Sequence, residues 1–382
     1  MLRNYGLFHP HCRITEAGRN HTAHPTMTGD RALQKPPATT KSASTTLLPP
    51  ISEKEEDMPF LSVLIPVYNG ERYLADAVES VLGQPCKDLE VIIANDGSTD
   101  RSLEIARSFA EKDSRVSVLT HDNCGPGMTR NLAMPRMRGT WTLFLDCDDI
   151  VLPGFYTEQV KAFLSGCLDR DVECIVPCRL YGNIDLSRAN MEYVPFDEAF
   201  PQGSDASWRI DYEFATLLYS TDLLRREHIE FGTTRPAEME SIFRHKAAFC
   251  ARRTLFTNKI WFAVRRENPD QATKASDWDT VKVDRIREQG FAELVAWHEA
   301  RGTKGFVLDE ARRRRDAATE AIRRDGERKG PFQKLALGRQ KRRDYESWIA
   351  SRRAAEKPLG EWVLDKGQQR AALDEIEKII SD

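Results

Sequence analysis

Short runs of apolar and β-branched residues alternate with helical segments between Phe60 and Leu145, and no other feature constrains the fold as strongly. The alternation predicts strands at Phe60–Val67, Leu89–Ala94, Val116–Leu119 and Trp141–Leu145. The segments between them, which have apolar residues at helical spacing, are Glu71–Leu82, 100–112 and Gly127–Met134. A repeated strand–helix order predicts a mostly parallel sheet with helices on both faces, and therefore an α/β fold.

The chain divides into three parts around this pattern. Residues 1–57 contain eight Thr and six Pro but few clustered apolar residues, so we predict a disordered segment. The alternatives are a regulatory arm, an organellar targeting peptide, and a true translation start at Met58. We expect residues 58–281 to form the α/β domain and residues 282–382 to form a charged α-helical appendage.

The second half of the α/β domain is less regular than the first. Its apolar patterns predict helices at Tyr156–Ser165, Asp211–Leu218 and Glu238–Ala251, and strands at Cys174–Pro177, Leu255–Thr257 and Ile260–Val264. One sequence gives no repeat or motif here from which a ligand can be inferred.

The net charge of −3, from 56 basic and 59 acidic residues, excludes a uniformly basic protein that coats nucleic acid. The total hides a basic stretch, residues 312–343, which has 13 Lys or Arg and four Asp or Glu. A solvated helix face or an oligomer contact is the simplest interpretation. A peripheral contact with an anionic membrane is the second interpretation, and nucleic acid is not expected as a partner.

The apolar runs are short and the cysteines are few. No run approaches the roughly 20 residues that span a bilayer, and no signal-peptide pattern follows Met1. We therefore expect a cytoplasmic protein, with peripheral association at the inner face of the plasma membrane as an alternative. The eight cysteines are expected to be free thiols. Cys174 and Cys178 could instead contribute to a zinc site, which is the less favoured interpretation.

Three carboxylates follow the fourth predicted strand, at the sheet edge where parallel α/β folds bind ligands. They are Asp146, Asp148 and Asp149. Carboxylates this close repel one another unless a cation lies between them, and hard oxygen ligands suit Mg²⁺ or Mn²⁺. Strand alternation predicts that Asp146 and Asp148 point to one side. The alternative is a solvated acidic turn that caps the next segment.

Other polar residues are expected at the same edge. Asp96 follows the second strand and could accept a hydrogen bond from a base or a ribose, or simply form an Asp-Gly turn. Pro66 and Tyr68 end the first strand, and Tyr68 could pack against a flat base. Arg130 could bind a diphosphate or order the acidic turn, or it could be an ordinary surface arginine.

Taken together, these stretches resemble the family 2 nucleotide-sugar glycosyltransferases, which have the GT-A fold. The matching segments are Leu61–Gly70, Glu71–Leu74, Val91–Asp100, Gly125–Asn131 and Phe144–Asp149. Their order and spacing agree over residues 60–150. The resemblance weakens over residues 150–280 and is absent outside these limits.

The resemblance implies a donor site and a metal site. The residues implied to hold the nucleotide sugar are Pro66, Tyr68, Glu71, Asp96, Arg130, Asp146, Arg265 and Arg266. The residues implied to hold Mn²⁺ or Mg²⁺ are Asp146, Asp148 and Asp149. A UDP-sugar is the preferred donor.

The family places its general base on a helix in the second half of the domain, often within a Glu-Asp pair. The local match is Glu238-Met239-Glu240, in which methionine takes the position of the Asp and cannot accept a proton. Glu238 or Glu240 could act as the catalytic base instead, although helical geometry predicts that Glu240 points elsewhere. His245 is a further alternative, but an ordinary histidine on the helix surface is the favoured interpretation.

The implied function is an inverting, metal-dependent glycosyltransferase that acts on a carbohydrate or lipid-linked hydroxyl acceptor. Synthesis of a surface polysaccharide or glycoconjugate is the expected process. Because of Met239, a catalytically impaired member that binds nucleotide sugars as a non-enzymatic partner is the alternative. A basic interaction module built on the C-terminal helices is a third hypothesis.

Overall fold

One sheet of eleven strands runs through the part of the chain that the structure describes. The computed structural model describes residues 58–183, 185–192, 198–209, 217–232, 238–265, 280–328, 347 and 356–381. The strands are β1 Leu61–Val67, β2 Leu89–Asp96, β3 Val116–His121, β4 Trp141–Phe144, β5 Ile150–Val151, β6 Val172–Gly182, β7 Arg188–Glu192, β8 Glu198–Pro201, β9 Leu218–Ser220, β10 Arg253–Arg265 and β11 Lys357–Pro358. The α-helices are α1 Leu74–Leu82, α2 Ser102–Lys112, α3 Pro126–Ala133, α4 Glu158–Asp169, α5 Ala206–Arg209, α6 Thr221–Arg226, α7 Glu238–Cys250, α8 Thr280–Ala300, α9 Phe306–Arg328 and α10 Lys366–Ser381.

The first half of the sheet is parallel, in the order β3, β2, β1, β4. This confirms the α/β fold and the strand–helix alternation, with strand ends shifted by one or two residues. The first helix begins at Leu74 and not at Glu71, because Gly70–Tyr73 forms a turn closed by a 3.0 Å hydrogen bond from Tyr73 N–H to the Gly70 carbonyl. Pro66 is tolerated inside β1 because β4 pairs only with Leu61–Leu64.

The second half of the sheet is mixed. Strand β9 is antiparallel to both β4 and β6, and β10 is parallel to β6. The predicted helix at Asp211–Leu218 is wrong at its end, because Leu218 begins β9; residues 211–216 lie outside the described residues. A three-residue strand is too short to show period-two alternation, so the sequence gives no strand signal there.

Helices cover both faces of the sheet. On one face the alternate β1 residues Leu61, Val63 and Ile65 pack in a core with α1, α4 and α10. On the other face Leu64 packs in a core with α3, α6 and α7. Each fully buried Leu or Ile contributes about 1.5–3 kcal/mol relative to an exposed one. This two-sided packing leaves the carboxyl ends of the parallel strands as the accessible edge.

The C-terminal helices pack on the domain through two separate contacts. Trp208 of α5 and Ile242 of α7 share a core with the α8–α9 pair. Ile376 and Ile380 of α10 are buried in the core against α1 and α4. The domain boundary between residues 281 and 282 and the helical appendage 282–382 stay predictions. The contact of α10 shows that this last helix belongs to the central core.

Several sequence predictions fall outside the described residues. They concern the segment 1–57, Arg266 and the basic residues 341–343. Among the described helices, none combines the length and the apolar character needed to cross a membrane.

Candidate active site

The carboxyl ends of β1, β2 and β4 lie side by side and define a crevice at the sheet edge. Tyr68 follows β1, Asp96 ends β2, and Asp146 lies two residues after β4. Tyr68 is 51% exposed, which is unusual for a large ring in this domain. Pro66 is buried within β1, so a ligand can contact it only at the bottom of the crevice.

The loops after β1 and β2 hold each other in place. The Asn69 side chain accepts a hydrogen bond from Thr99 N–H at 2.8 Å, and Asn69 N–H donates to the Ser98 hydroxyl at 3.0 Å. The Glu71 carboxylate accepts from Arg101 N–H at 3.0 Å, at the start of α2. Glu71 therefore has a structural role here, and its predicted contact with the donor stays a prediction.

Asp96 anchors the loop that leads into α3. Its carboxylate accepts hydrogen bonds from Cys124 N–H at 2.6 Å, Gly125 N–H at 2.9 Å and the Asn123 amide at 3.0 Å. Gly97 has a φ of +66°, and a Cβ there would lie 2.7 Å from the backbone nitrogen of Asn123. The Asp-Gly turn is therefore present, and it sets the start of the helix that carries Arg130.

Arg130 is buried, at 2% exposure, and not on the surface. One end of its guanidinium donates to Asp146 at 2.6 Å, and the other donates to Glu240 at 2.6 Å. The guanidinium carbon also lies 5.2 Å from the centre of the Phe231 ring. A planar fork suits two carboxylates at once, so Arg130 joins α3, the acidic turn and α7.

The three aspartates after β4 lie on a turn and not on an extended strand. Asp149 N–H donates to the Asp146 carbonyl at 3.0 Å, so the predicted alternation of side chains fails here. The turn nevertheless brings carboxylate oxygens of Asp146, Asp148 and Asp149 within 4.8 Å of one another. Burial, with added repulsion from Asp148 and Asp146, raises the pKa of Asp149 well above its usual range.

Arg265, at the end of β10, supports the acidic turn from the other side. Its N–H donates to Asp149 at 3.0 Å, and its guanidinium donates to the Asp148 carbonyl at 3.0 Å. The guanidinium also donates to Asp76 of α1 at 2.6 Å and lies 4.9 Å from the Tyr73 ring centre. Asp76 and Tyr73 were not predicted, because only the fold brings them to β10.

The donor set of the acidic turn fits a hard divalent cation. Three carboxylates meet there, and Mg²⁺ and Mn²⁺ prefer such oxygen ligands. A bound cation would offset both the burial and the carboxylate repulsion that raise the pKa of Asp149. The residues present therefore fit the implied metal.

Helix α7 brings one of the two predicted catalytic glutamates into the crevice. Glu240 contacts Arg130, so the expectation that it points elsewhere is wrong. Burial raises the pKa of Glu240, Arg130 opposes this, and Asp146 adds to it. The backbone of Glu238 and Met239 begins the helix, but their side chains lie outside the described residues.

His245 is buried and not a surface histidine, which corrects the sequence interpretation. It is 3% exposed, and its Nε2 lies 2.9 Å from Nε2 of His298 on α8. The Trp208 ring covers it at a centroid distance of 4.1 Å. Burial lowers the pKa of His245, and burial lowers the pKa of His298 to about 4. This pair joins α7 to α8, and it offers the crevice no base.

Among the described residues the cysteines form no disulfide bonds, as predicted. Among the described residues, the groups that could hold a metal are Asp96–His121–Cys124 and Asp146–Asp148–Asp149. Neither includes Cys174 or Cys178, which are buried. A zinc site at those two cysteines therefore has no support.

The described part of the basic stretch is paired with acidic side chains. The pairs are Arg312 with Glu299, Arg313 and Arg314 with Glu310, Arg315 with Asp316, and Arg323 and Arg324 with Glu320. Exposed pairs of this kind contribute about 0–1 kcal/mol each. The pattern fits a solvated helix face, and contact with a membrane stays a prediction.

Comparison with known proteins finds glycosyltransferases that are similar to part of this chain. Residues 62–200 match the family model described as glycosyl transferase family 2. The uncharacterized glycosyltransferase EpsJ of Bacillus subtilis is 30% identical over 232 residues, which are 57% of this chain and 64% of EpsJ. The poly(ribitol-phosphate) β-N-acetylglucosaminyltransferase TarS of Staphylococcus aureus is 28% identical over 54% of this chain and 36% of TarS. The chain therefore spans less than two thirds of the length of these relatives.

A solved structure of S. aureus TarS 1–349 with UDP-GlcNAc aligns with a TM-score of 0.47 and 22% sequence identity, over 60% of this chain and 66% of that one. The family model covers the crevice strands, the helix that carries Arg130 and the acidic turn. Over residues 62–200 the chain is therefore similar to the family 2 glycosyl transferases.

Proposed function

We propose that the chain is an inverting, metal-dependent glycosyltransferase that transfers a sugar from a UDP-sugar to a hydroxyl acceptor. One observation carries the proposal: Arg130 contacts both Asp146 of the acidic turn and Glu240 of α7. The candidate base and the candidate diphosphate site thus meet at one crevice. The match of residues 62–200 to the family 2 model supports the reaction class.

Glu240 is the general base in this proposal. Its side chain is 13% exposed, so an acceptor hydroxyl can reach it, and its raised pKa makes the carboxylate a better proton acceptor. Glu240 would take the hydroxyl proton as the acceptor oxygen bonds to the anomeric carbon. The bond between that carbon and the diphosphate oxygen breaks in the same displacement, so the anomeric centre inverts.

The acidic turn, held by its two arginines, would neutralise the negative charge of the donor diphosphate through a bound metal ion. Mg²⁺ or Mn²⁺ held by Asp146, Asp148 and Asp149 would neutralise the charge of the departing diphosphate. Arg130 and Arg265 hold the turn in shape, since each donates to it directly. Arg266 stays a predicted donor contact.

The nucleoside would lie over the ends of β1 and β2. Tyr68 presents its exposed ring there, and base stacking on such a ring is favourable. Asp96, Pro66 and Glu71 would complete this pocket. Both carboxylate oxygens of Asp96 already accept loop N–H groups, so its contact with a base would be an additional hydrogen bond at a remaining lone pair.

The donor and acceptor are proposed from chemistry and relatives together. TarS, a relative in sequence, has been crystallised with UDP-GlcNAc and is named for transfer to poly(ribitol-phosphate). We therefore propose a UDP-sugar donor and a carbohydrate or lipid-linked acceptor of a surface polymer. A peripheral membrane position at the cytoplasmic side is part of the same proposal.

A panel of UDP-sugars, assayed for UDP release with Mn²⁺ and with EDTA, tests the proposal. We expect one donor to be turned over in the presence of Mn²⁺, with faster release when a suitable acceptor is added. Binding of UDP without turnover or hydrolysis of any donor would favour the non-enzymatic alternative. The contact with Arg130 places Glu240 in the crevice, where it can act as the base that Met239 cannot be. This position of Glu240 weighs against the non-enzymatic alternative.

A further inference from the structure

A second group of metal-ligating side chains lies at the same sheet edge as the crevice. Asp96 ends β2, His121 ends β3, and Cys124 follows three residues later. One ligand atom from each lies within 4.8 Å of the others. The proposed reaction gives no role to His121 or Cys124.

The distances between these atoms are close to the edges of a tetrahedral metal site. Sγ of Cys124 lies 3.5 Å from Nδ1 of His121, and Oδ1 of Asp96 lies 3.7 Å from the same nitrogen. Around zinc, with a Zn–S bond of about 2.3 Å and Zn–N or Zn–O bonds of about 2.0 Å, these edges are about 3.5 Å and about 3.3 Å. The distance from Sγ to Nδ1 already fits, and the distance from Oδ1 to Nδ1 must shorten by about 0.4 Å.

The backbone holds the three ligands in place. His121 and Asp96 are register partners in the parallel pair β2–β3. The Asp96 carboxylate binds the N–H of Cys124, which fixes the third ligand against the first. His121 and Cys124 are only partly buried, so an ion can enter from solvent.

We propose that Asp96, His121 and Cys124 bind one transition-metal ion of the zinc class. A thiolate, an imidazole and one carboxylate favour Zn²⁺ or Co²⁺, whereas the all-oxygen set of the acidic turn favours Mg²⁺ or Mn²⁺. The two sites therefore select different metals from the same solution.

Binding changes the protonation of two ligands. The Cys124 thiol releases its proton to solvent as the sulfur–metal bond forms. His121 binds through the lone pair of Nδ1, so its ring proton moves to Nε2 and the 2.9 Å contact of Nδ1 with the Asp122 carbonyl is given up. Neither the metal ion nor the sulfur of Cys124 changes its oxidation state when the ion binds.

The site also has a consequence for the nucleotide, which rests on the proposed function. Asp96 is the residue proposed to accept a hydrogen bond from the nucleobase. A metal ion on this carboxylate would occupy part of the nucleobase pocket, so Zn²⁺ would inhibit while Mn²⁺ supports the reaction.

Titration of the metal-free full chain with Co²⁺, followed by absorption spectroscopy, tests the site. We expect a sulfur-to-cobalt charge-transfer band and the visible bands of tetrahedral cobalt. Both should persist in Cys147→Ser, the control cysteine within the acidic turn, and disappear in Cys124→Ser. His121→Gln should weaken Co²⁺ binding by more than about tenfold, since even outer-shell changes cost that much. Absence of the thiolate band, or its persistence in Cys124→Ser, would overturn the proposal.

Calorimetry of UDP binding in the presence of Mn²⁺, with and without Zn²⁺, separates the proposed metal site from its proposed effect on nucleotide binding. We expect Zn²⁺ to weaken UDP binding in the wild type and to have no such effect in Cys124→Ser. If the cobalt bands behave as expected but Zn²⁺ leaves UDP binding unchanged, the link to the nucleobase pocket is wrong while the metal site stands. If UDP fails to bind at all, the proposed function fails independently of the cobalt result.

Discussion

The guanidinium of Arg130 donates a 2.6 Å hydrogen bond to Glu240, which lies 110 positions later in the chain. The other end of the same guanidinium donates to Asp146. Because Arg130 is almost fully buried, little solvent screens these contacts. Helix α7 and the acidic turn are therefore coupled electrostatically through one side chain.

Replacing Glu240 with glutamine should remove the general base while keeping the shape of the side chain. We expect Glu240→Gln to lower kcat by about 10²–10⁴, the usual contribution of a general base. UDP affinity should change little, because the amide oxygen still accepts from Arg130. Steady-state UDP release gives kcat, and calorimetry gives the affinity.

The pH profile and a control variant complete this test. Burial raises the pKa of Glu240, so the active carboxylate form is lost as pH falls through a value above that of an ordinary glutamate. The variant should lose this acid limb. Glu299→Gln, which alters an exposed ion pair with Arg312, should leave the rate and the pH profile unchanged. An unchanged kcat in Glu240→Gln would exclude Glu240 as the base.

Replacing Arg130 with methionine should destabilise the fold strongly. Two partly buried carboxylates would lose their shared cation, and breaking a buried ion pair in this way costs about 3–5 kcal/mol. Arg130→Lys keeps the charge but loses the planar fork, so its effect should be smaller. Urea denaturation of both variants measures the free energies of unfolding, and equal stability of Arg130→Met and the wild type would contradict the buried bridge.

Replacing Asp149 with asparagine should stabilise the metal-free protein and weaken metal binding. Burial and then repulsion from Asp148 and Asp146 raise the pKa of Asp149 above its unfolded value, so its ionisation destabilises the fold progressively as pH rises from the unfolded pKa to the folded pKa. Asparagine removes the charge and can still accept from Arg265 N–H. At neutral pH without metal we expect a Tm rise of about 2–4 °C, the size that 1 kcal/mol produces in a domain of this length.

Adding Mn²⁺ should reverse the order of the two proteins. The wild type should gain stability on binding the ion, and Asp149→Asn should gain less. Thermal scans with EDTA and with Mn²⁺ make the comparison directly. Equal stabilisation of both proteins by Mn²⁺ would remove Asp149 from the metal site.

Glu173 should contribute stability that depends on pH. It is buried, and hydrogen bonds from Arg252 and Arg226 outweigh the effect of burial and lower its pKa. A lowered folded-state pKa means that the stabilisation is present above the unfolded value and is lost as pH falls through the folded value. At pH 7 we expect Glu173→Gln to cost about 1.5–3 kcal/mol, the range for hydrogen bonds to charged groups.

The matched control is Asp222→Asn, which changes an exposed partner of the same Arg226. A surface pair at this spacing contributes about 0.3–0.5 kcal/mol, so its effect should be small. Chemical denaturation at pH 7 and at pH 3 should show the Glu173→Gln penalty shrinking at the lower pH. A penalty that stays constant with pH would show that the charge of Glu173 does not stabilise the fold.

The parallel half of the fold was predictable because its signals are local. Apolar runs such as Leu61–Val67 are followed at once by helical periodicity, and each run ends in polar residues that mark the ligand edge. The mixed half was less predictable. Strand β9 has three residues, and β10 contains irregular pairing between Phe256 and Ile260, so neither shows an uninterrupted pattern.

Site residues whose position depends on distant contacts could not be assigned from one sequence. Helical geometry alone directs Glu240 away from the expected base position. Its partner, Arg130, lies on another helix, so the contact between them is not visible in the local sequence. His245 had the spacing of a surface residue, but Trp208 and α8 cover it. The acidic turn was predictable in composition, whereas its folded shape depends on Arg265 from β10.

A crystal structure of the complex with UDP and Mn²⁺ tests the central claim most directly. We expect an anomalous manganese peak bound by the carboxylates of Asp146, Asp148 and Asp149, the diphosphate on that ion, and the uracil over the ends of β1 and β2 beside Tyr68. Glu240 should face the open side of the crevice where an acceptor enters. UDP bound elsewhere, or manganese away from the acidic turn, would contradict the proposed donor and metal sites.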